Sequence, residues 1–203
     1  MHFKKLGIMA VCAALACTMP AKAQEKKPGA PDSAAMAAMM EKWMEVSTPG
    51  EQHKQMNKMA GKWKTVNTMM MDPSKPETTE GTMEASSILD GRFVSYVYKG
   101  SVMGMPFEGH GTSGYDKMKK QYVSSWVDNM GTMMMNATGA GSPDGKVITY
   151  TGVMDDPMTG ARDQKFREVL TWKSDDSFTF EMYSAMLGGQ EGKVMTIVHT
   201  RVK

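Results

Sequence analysis

From Gly61 to the C-terminus, apolar and polar residues alternate with a period of two, and a turn signal interrupts the pattern every 8–15 residues. Only strands place successive side chains on opposite faces, so this alternation excludes a helical bundle. It predicts strands near 62–71, 82–89, 92–102, 107–115, 121–129, 132–140, 146–154, 162–173, 177–187 and 192–202. Asp90-Gly91 and Asp144-Gly145 supply the positive φ that tight hairpins require. Asp116-Lys117 and Ser174-Asp175-Asp176-Ser177 are polar connectors, and Asp156-Pro157-Met158-Thr159-Gly160 is a longer Pro–Gly loop. No helical pattern separates the strands, so parallel βαβ pairing is excluded and the sheet must meander antiparallel. A set of about ten short strands has edges to protect, and closure removes them. The expected fold is all-β: an antiparallel up-and-down β-barrel of about ten strands, with a sandwich as the alternative.

The N-terminus has a different grammar. Lys4 and Lys5 precede an uncharged, mostly apolar stretch from Leu6 to Cys17, and Ala21-Lys22-Ala23 has the form of a signal-peptidase site. Residues 1–23 are therefore expected to be a signal peptide, cleaved near Ala23 and leaving a periplasmic or secreted protein that begins at Gln24. Cleavage removes both cysteines, and with them any disulfide, thiolate nucleophile or Cys-based metal site. Residues 24–52 comprise a polar Pro/Gly linker and an amphipathic helix whose Met36, Met39, Met40, Trp43 and Met44 form one stripe. That stripe suits a lid over the barrel mouth or a docking face. A shorter helical turn with His53, Met56, Met59 and Ala60 on one side opens the barrel domain, residues 53–203.

Several stretches together carry a family resemblance. They are His53 leading to Gly61-Lys62-Trp63; Gly104-Met105-Pro106-Phe107-Glu108-Gly109-His110-Gly111 running into Gly114-Tyr115-Asp116; Trp126-Val127-Asp128; Asp156-Pro157-Met158-Thr159-Gly160; and the closing Thr200-Arg201. Over roughly residues 50–203 the chain resembles a bacterial family, domain of unknown function 1579, whose members are similar to calycin barrels, the group that includes lipocalins. The resemblance implies a calycin-like architecture and no particular activity. It also implies a structural clasp, in which Gly61 and Trp63 open the first strand and Arg201 on the last strand covers the indole. Closure makes those two strands neighbours, so a cation–π pair between Trp63 and Arg201 is expected. The chain departs from the family in its methionine content.

The whole sequence has 24 Lys+Arg against 22 Asp+Glu, scattered rather than blocked, which gives no electrostatic basis for nucleic-acid binding. Beyond the leader no apolar run is long enough to span a membrane, and nothing sets an oligomeric state. Of 25 methionines, 22 lie after Ala23, against 3 leucines and 3 isoleucines. Methionine substitutes for leucine in a core and suits a wall that adapts to varied apolar ligands. Thioethers are also Cu(I) ligands, so copper is the cofactor the composition would admit, with Met103, Met105 and His110 as the ligand set. Met69-Met70-Met71 and Met133-Met134-Met135 alternate faces on a strand, so a compact sulfur site there needs a neighbouring strand.

Hydrolytic motifs are absent, and no catalytic set is assigned. His53, His110 and His199 are the histidines left after cleavage, and any haem would need one of them. Polar residues within strands supply the ligand-binding candidates: Glu108, His110, Trp126, Asp128, Arg167, Glu181 and Tyr183. The expected role is non-catalytic binding of a small, largely apolar ligand. The alternatives are a Cu(I)/Ag(I) binder and an enzyme working through Asp128, Arg167, Glu181 and Tyr183.

Overall fold

The computed structural model describes residues 32–70, 72, 74–157, 159–185 and 189–203. The expected signal peptide, the linker up to residue 31, Met71 and Met158 lie outside the described residues. The chain divides into two units, Met1–Ala38 and Met39–Lys203. Helix α1 (Ser33–Ser47) starts where Asp32 Oδ1 accepts the Ala35 N–H, and it leaves Met36, Met39, Met40, Trp43 and Met44 exposed. In α2 (Glu51–Asn57) the Nδ1 of His53 accepts the Gly50 N–H at 3.1 Å, which caps the first turn, and Met56 is buried.

Ten strands follow: β1 (Gly61–Met69), β2 (Glu77–Ile88), β3 (Phe93–Val102), β4 (Met105–Asp116), β5 (Gln121–Asp128), β6 (Met135–Gly141), β7 (Val147–Met154), β8 (Gln164–Ser174), β9 (Ser177–Ser184) and β10 (Gly192–Arg201). Each pairs antiparallel with its sequence neighbour, and β1 pairs with β10, closing the barrel. The Asp90-Gly91 hairpin turns through Leu89, Asp90 and Gly91, all at positive φ. β2 starts at Glu77, well before the expected 82, because the polar Thr78 and Thr79 extend the ladder by pairing with Thr68 and Asn67, a stretch whose polar residues give no apolar alternation to read. β6 starts at Met135 rather than near 132.

One end of the barrel is plugged. Trp63, fully buried, meets Phe178 edge-on at 4.8 Å and Trp172 at 6.3 Å, and its Nε1 donates to the Met59 carbonyl at 2.8 Å. Arg201 lies over the same indole, with Cζ 4.1 Å from the ring centroid. Its Nη1 donates to Ala60 O (2.9 Å) and its Nη2 to Lys58 O (2.7 Å), while Nε and Nη2 both reach Asp175 O. Gly61 adopts φ +136°, and a Cβ there would stand 2.6 Å from Arg201 Nη1, so the guanidinium occupies the space a side chain would need.

Lys117, in the β4–β5 turn, donates to the carbonyls of Glu45 and Thr48. The last turn of α1 is thus fixed at the plugged end, not over the mouth where a lid would sit.

Candidate functional site

Alternation sends one residue in two into the barrel, and the residues chosen there leave a cavity of about 480 Å³ above the plug, within the ~300–1,000 Å³ typical of small-molecule sites. Among the described residues ten of those lining it are methionine. Met59 and Met83 sit low, while the others gather in the half toward the open end. Cross-strand register makes a continuous row of inward residues: Met69 on β1 faces Met195 on β10, Met195 faces Met182 on β9, Met182 faces Glu168 on β8, and Glu168 faces Tyr150 on β7.

The opposite wall is aromatic. Trp126 stacks between Tyr96 (6.1 Å, 29°) and Phe107 (6.3 Å, 19°), and its Nε1 donates to Asp128 Oδ2 at 2.9 Å. The glycine-rich β4 makes this wall possible. A Cβ on Gly109 would lie 2.0 Å from Trp126, and one on Gly111 would lie 2.2 Å from Tyr96, so both rings rest flat on bare backbone. Gly111→Ala is expected to cost about 1–3 kcal/mol by overpacking, whereas His110→Ala next to it should stay within about 0.5 kcal/mol. Urea midpoints of the two variants check this, and equal midpoints would refute the ring-seating role.

Polar side chains interrupt the wall, carboxylates among them. Glu168 faces the cavity, and burial pushes its carboxyl up to about 7. Tyr150 and Tyr96 flank the same region; burial raises both phenols, Tyr96 to about 12, and the Ser113 hydroxyl interacts with each. Asn67 Oδ1 is buried with no hydrogen-bond partner among the described residues. At the floor, the His199 ring stacks on Phe178 at 4.0 Å and burial lowers its pKa to about 4, so it is neutral at physiological pH. Among the described residues, no lysine or arginine lines the cavity.

Of the residues expected to form the site, Trp126 and Asp128 line the cavity together. The other five stand on the outer face. Glu108 bonds His110 Nε2 at 2.9 Å and pairs with Lys99 at 3.1 Å, at the surface. Arg167 stacks on Tyr183 at 3.8 Å and pairs with Glu191, while Glu181 accepts from Lys193 and Tyr183. The grouping of Asp128 with Arg167, Glu181 and Tyr183 is therefore split between the two faces of the wall. Met103, Met105 and His110 do not converge either: Met105 and His110 are five steps apart on one strand, about 17 Å at ~3.4 Å per residue. Glu168 escaped the sequence reading although its signal was present, since Phe166, Leu170 and Trp172 mark the inward phase of that strand and Glu168 shares it.

Residues 48–201 match the model of the family described as "Protein of unknown function (DUF1579)". Rv2717c from M. tuberculosis superposes with a TM-score of 0.59 at 12% identity, covering 77% of this chain and 100% of that one. The S-type phycobiliprotein lyase CPES from Guillardia theta superposes with a TM-score of 0.54 at 9% identity, covering 76% and 99%. At such identities the likeness is one of fold, an antiparallel barrel common to the three. No curated protein matches the chain.

Proposed function

The chain belongs to the family described as "Protein of unknown function (DUF1579)", and from its geometry we propose a non-catalytic carrier that holds one small, mainly apolar ligand inside the barrel. The observation that carries this reading is the cavity of about 480 Å³, plugged at one end and walled by methionines and aromatic rings. Burying apolar surface against such a wall supplies the affinity. The side-chain sets that would argue for chemistry do not converge: Asp128 lines the cavity while Arg167, Glu181 and Tyr183 stand on the outer face. Export completes the proposal: cleavage after Ala23 would release the carrier into the periplasm or medium, with Gln24 as the N-terminal residue to be read by sequencing.

The neutral fluorophore N-phenyl-1-naphthylamine tests the carrier reading. It should bind saturably, one per chain. Ala137→Trp, which puts an indole on a buried wall position, should weaken it at least tenfold with the far-UV spectrum unchanged. Unsaturable fluorescence, or binding indifferent to the added indole, would refute the carrier.

A second reading rests on the row Met69–Met195–Met182. Three thioethers on adjacent strands, facing one interior, meet the requirement that a sulfur site draw on neighbouring strands. Under this reading the cavity takes Cu(I) or Ag(I). Ag(I) titration should then show one strong site that Met195→Leu abolishes, and an unchanged isotherm would dismiss it.

A further inference from the structure

We propose that the cavity selects ligands that join an apolar, ring-bearing body to a basic nitrogen, with Glu168 as the anchor for that nitrogen. This deepens the carrier reading and depends on it.

The argument starts from charge. Five carboxylates line the cavity: Glu77, Asp128, Asp155, Glu168 and Asp156, the last of which accepts from the Thr159 N–H and hydroxyl. Glu77, Asp128, Asp155 and Glu168 are in no ion pair among the described residues. Asp128 and Asp155 are held by N–H donors near the mouth. Among the described residues Glu168 accepts no hydrogen bond; burial raises its carboxyl, and its cross-strand neighbours are Met182 and Tyr150. A carboxyl placed midway down an apolar barrel is costly to keep unless something that visits the cavity compensates it.

The walls say what that visitor is. A ligand carboxylate would meet only negative charge. A neutral hydrocarbon would shut Glu168 away from water and return nothing. A protonated amine forms a charge-assisted hydrogen bond with Glu168. It also lies within a chamber lined by the offset, near-parallel rings of Tyr96, Trp126 and Phe107, and aromatic rings attract a cation. Asn67 Oδ1, a second buried acceptor on the same lining, likewise asks for a donor. The methionine half leaves the shape of the apolar body loosely specified.

The test is a matched series at pH 8, competing against bound N-phenyl-1-naphthylamine: 2-naphthylmethylamine, 2-naphthylmethanol and 2-naphthoate. The amine should displace the fluorophore about tenfold more strongly than the alcohol, and the acid should be weakest. Glu168→Gln should bring the amine-to-alcohol ratio to within twofold. Glu181→Gln, on the outer face, should keep the ratio. A wild-type ratio within twofold overturns the proposal, as does a ratio that survives Glu168→Gln. Failure of all three compounds to displace a bound fluorophore overturns it too. If the fluorophore itself does not bind, the carrier reading falls first, so the two failures are distinguishable.

Discussion

Arg201→Ala should lower the unfolding free energy by about 2–4 kcal/mol, an unusually large loss for a residue at the rim of the fold. The guanidinium is only partly exposed, covers the Trp63 ring, and closes the carbonyls of Lys58, Ala60 and Asp175. Those carbonyls belong to the α2–β1 and β8–β9 connections, so one side chain ties both connections to the barrel seam. Arg201→Lys should recover less than half of the loss, because an ammonium lacks the planar fork that stacks and donates at several angles. A double-mutant cycle with Trp63→Phe isolates the stacking contribution, expected at about 0.5–2 kcal/mol. Strict additivity in urea denaturation would mean that the ring and the guanidinium are neighbours without coupling.

The second large effect is a pair of opposed pH dependences. Burial raises Glu168 from an ordinary 4.5 to about 7. The folded state therefore holds this proton more tightly than the unfolded chain, and stability falls as pH rises from 4.5 to 7. Burial lowers His199 from 6.5 to about 4. Its folded state resists the proton, so stability rises as pH climbs from 4 to 6.5. Each amounts to about 3 kcal/mol across its window. They nearly cancel, and the wild-type profile between pH 4.5 and 6.5 should be close to level. Glu168→Gln should expose the rising limb, and His199→Gln the falling one. Urea midpoints taken at half-unit steps from pH 4 to 8 decide the matter. A Glu168→Gln profile parallel to wild type would show that the carboxyl is not desolvated.

The barrel was legible because strand phase and turn chemistry agree along the chain. Asp90-Gly91 and Asp144-Gly145 stand at hairpins, and Gly61, Trp63 and Arg201 meet at the seam. The site was legible only where phase was respected. Trp126 and Asp128 follow the inward alternation of β5 and reach the cavity. Arg167, Glu181 and Tyr183 attract notice as polar residues within strands, but each is one step out of phase with its apolar neighbours Phe166, Phe180 and Met182. A single-residue step reverses the face, so the quiet Glu168 is inside and the conspicuous Arg167 outside. The glycines of β4 presented a different difficulty. The rings that Gly109 and Gly111 admit belong to β3 and β5, and only cross-strand register reveals which side chains cover a bare backbone.

The two halves of the chamber differ in compliance. On one side, rings press against main-chain atoms of a hydrogen-bonded sheet, which cannot retreat. On the other, unbranched thioether chains change rotamer at little cost. Guests of different girth should therefore leave Trp126 and Tyr96 where they are and be recorded in the χ angles of Met69, Met182 and Met195, so that one rigid surface sets the angle of entry while the sulfur side takes up the variation.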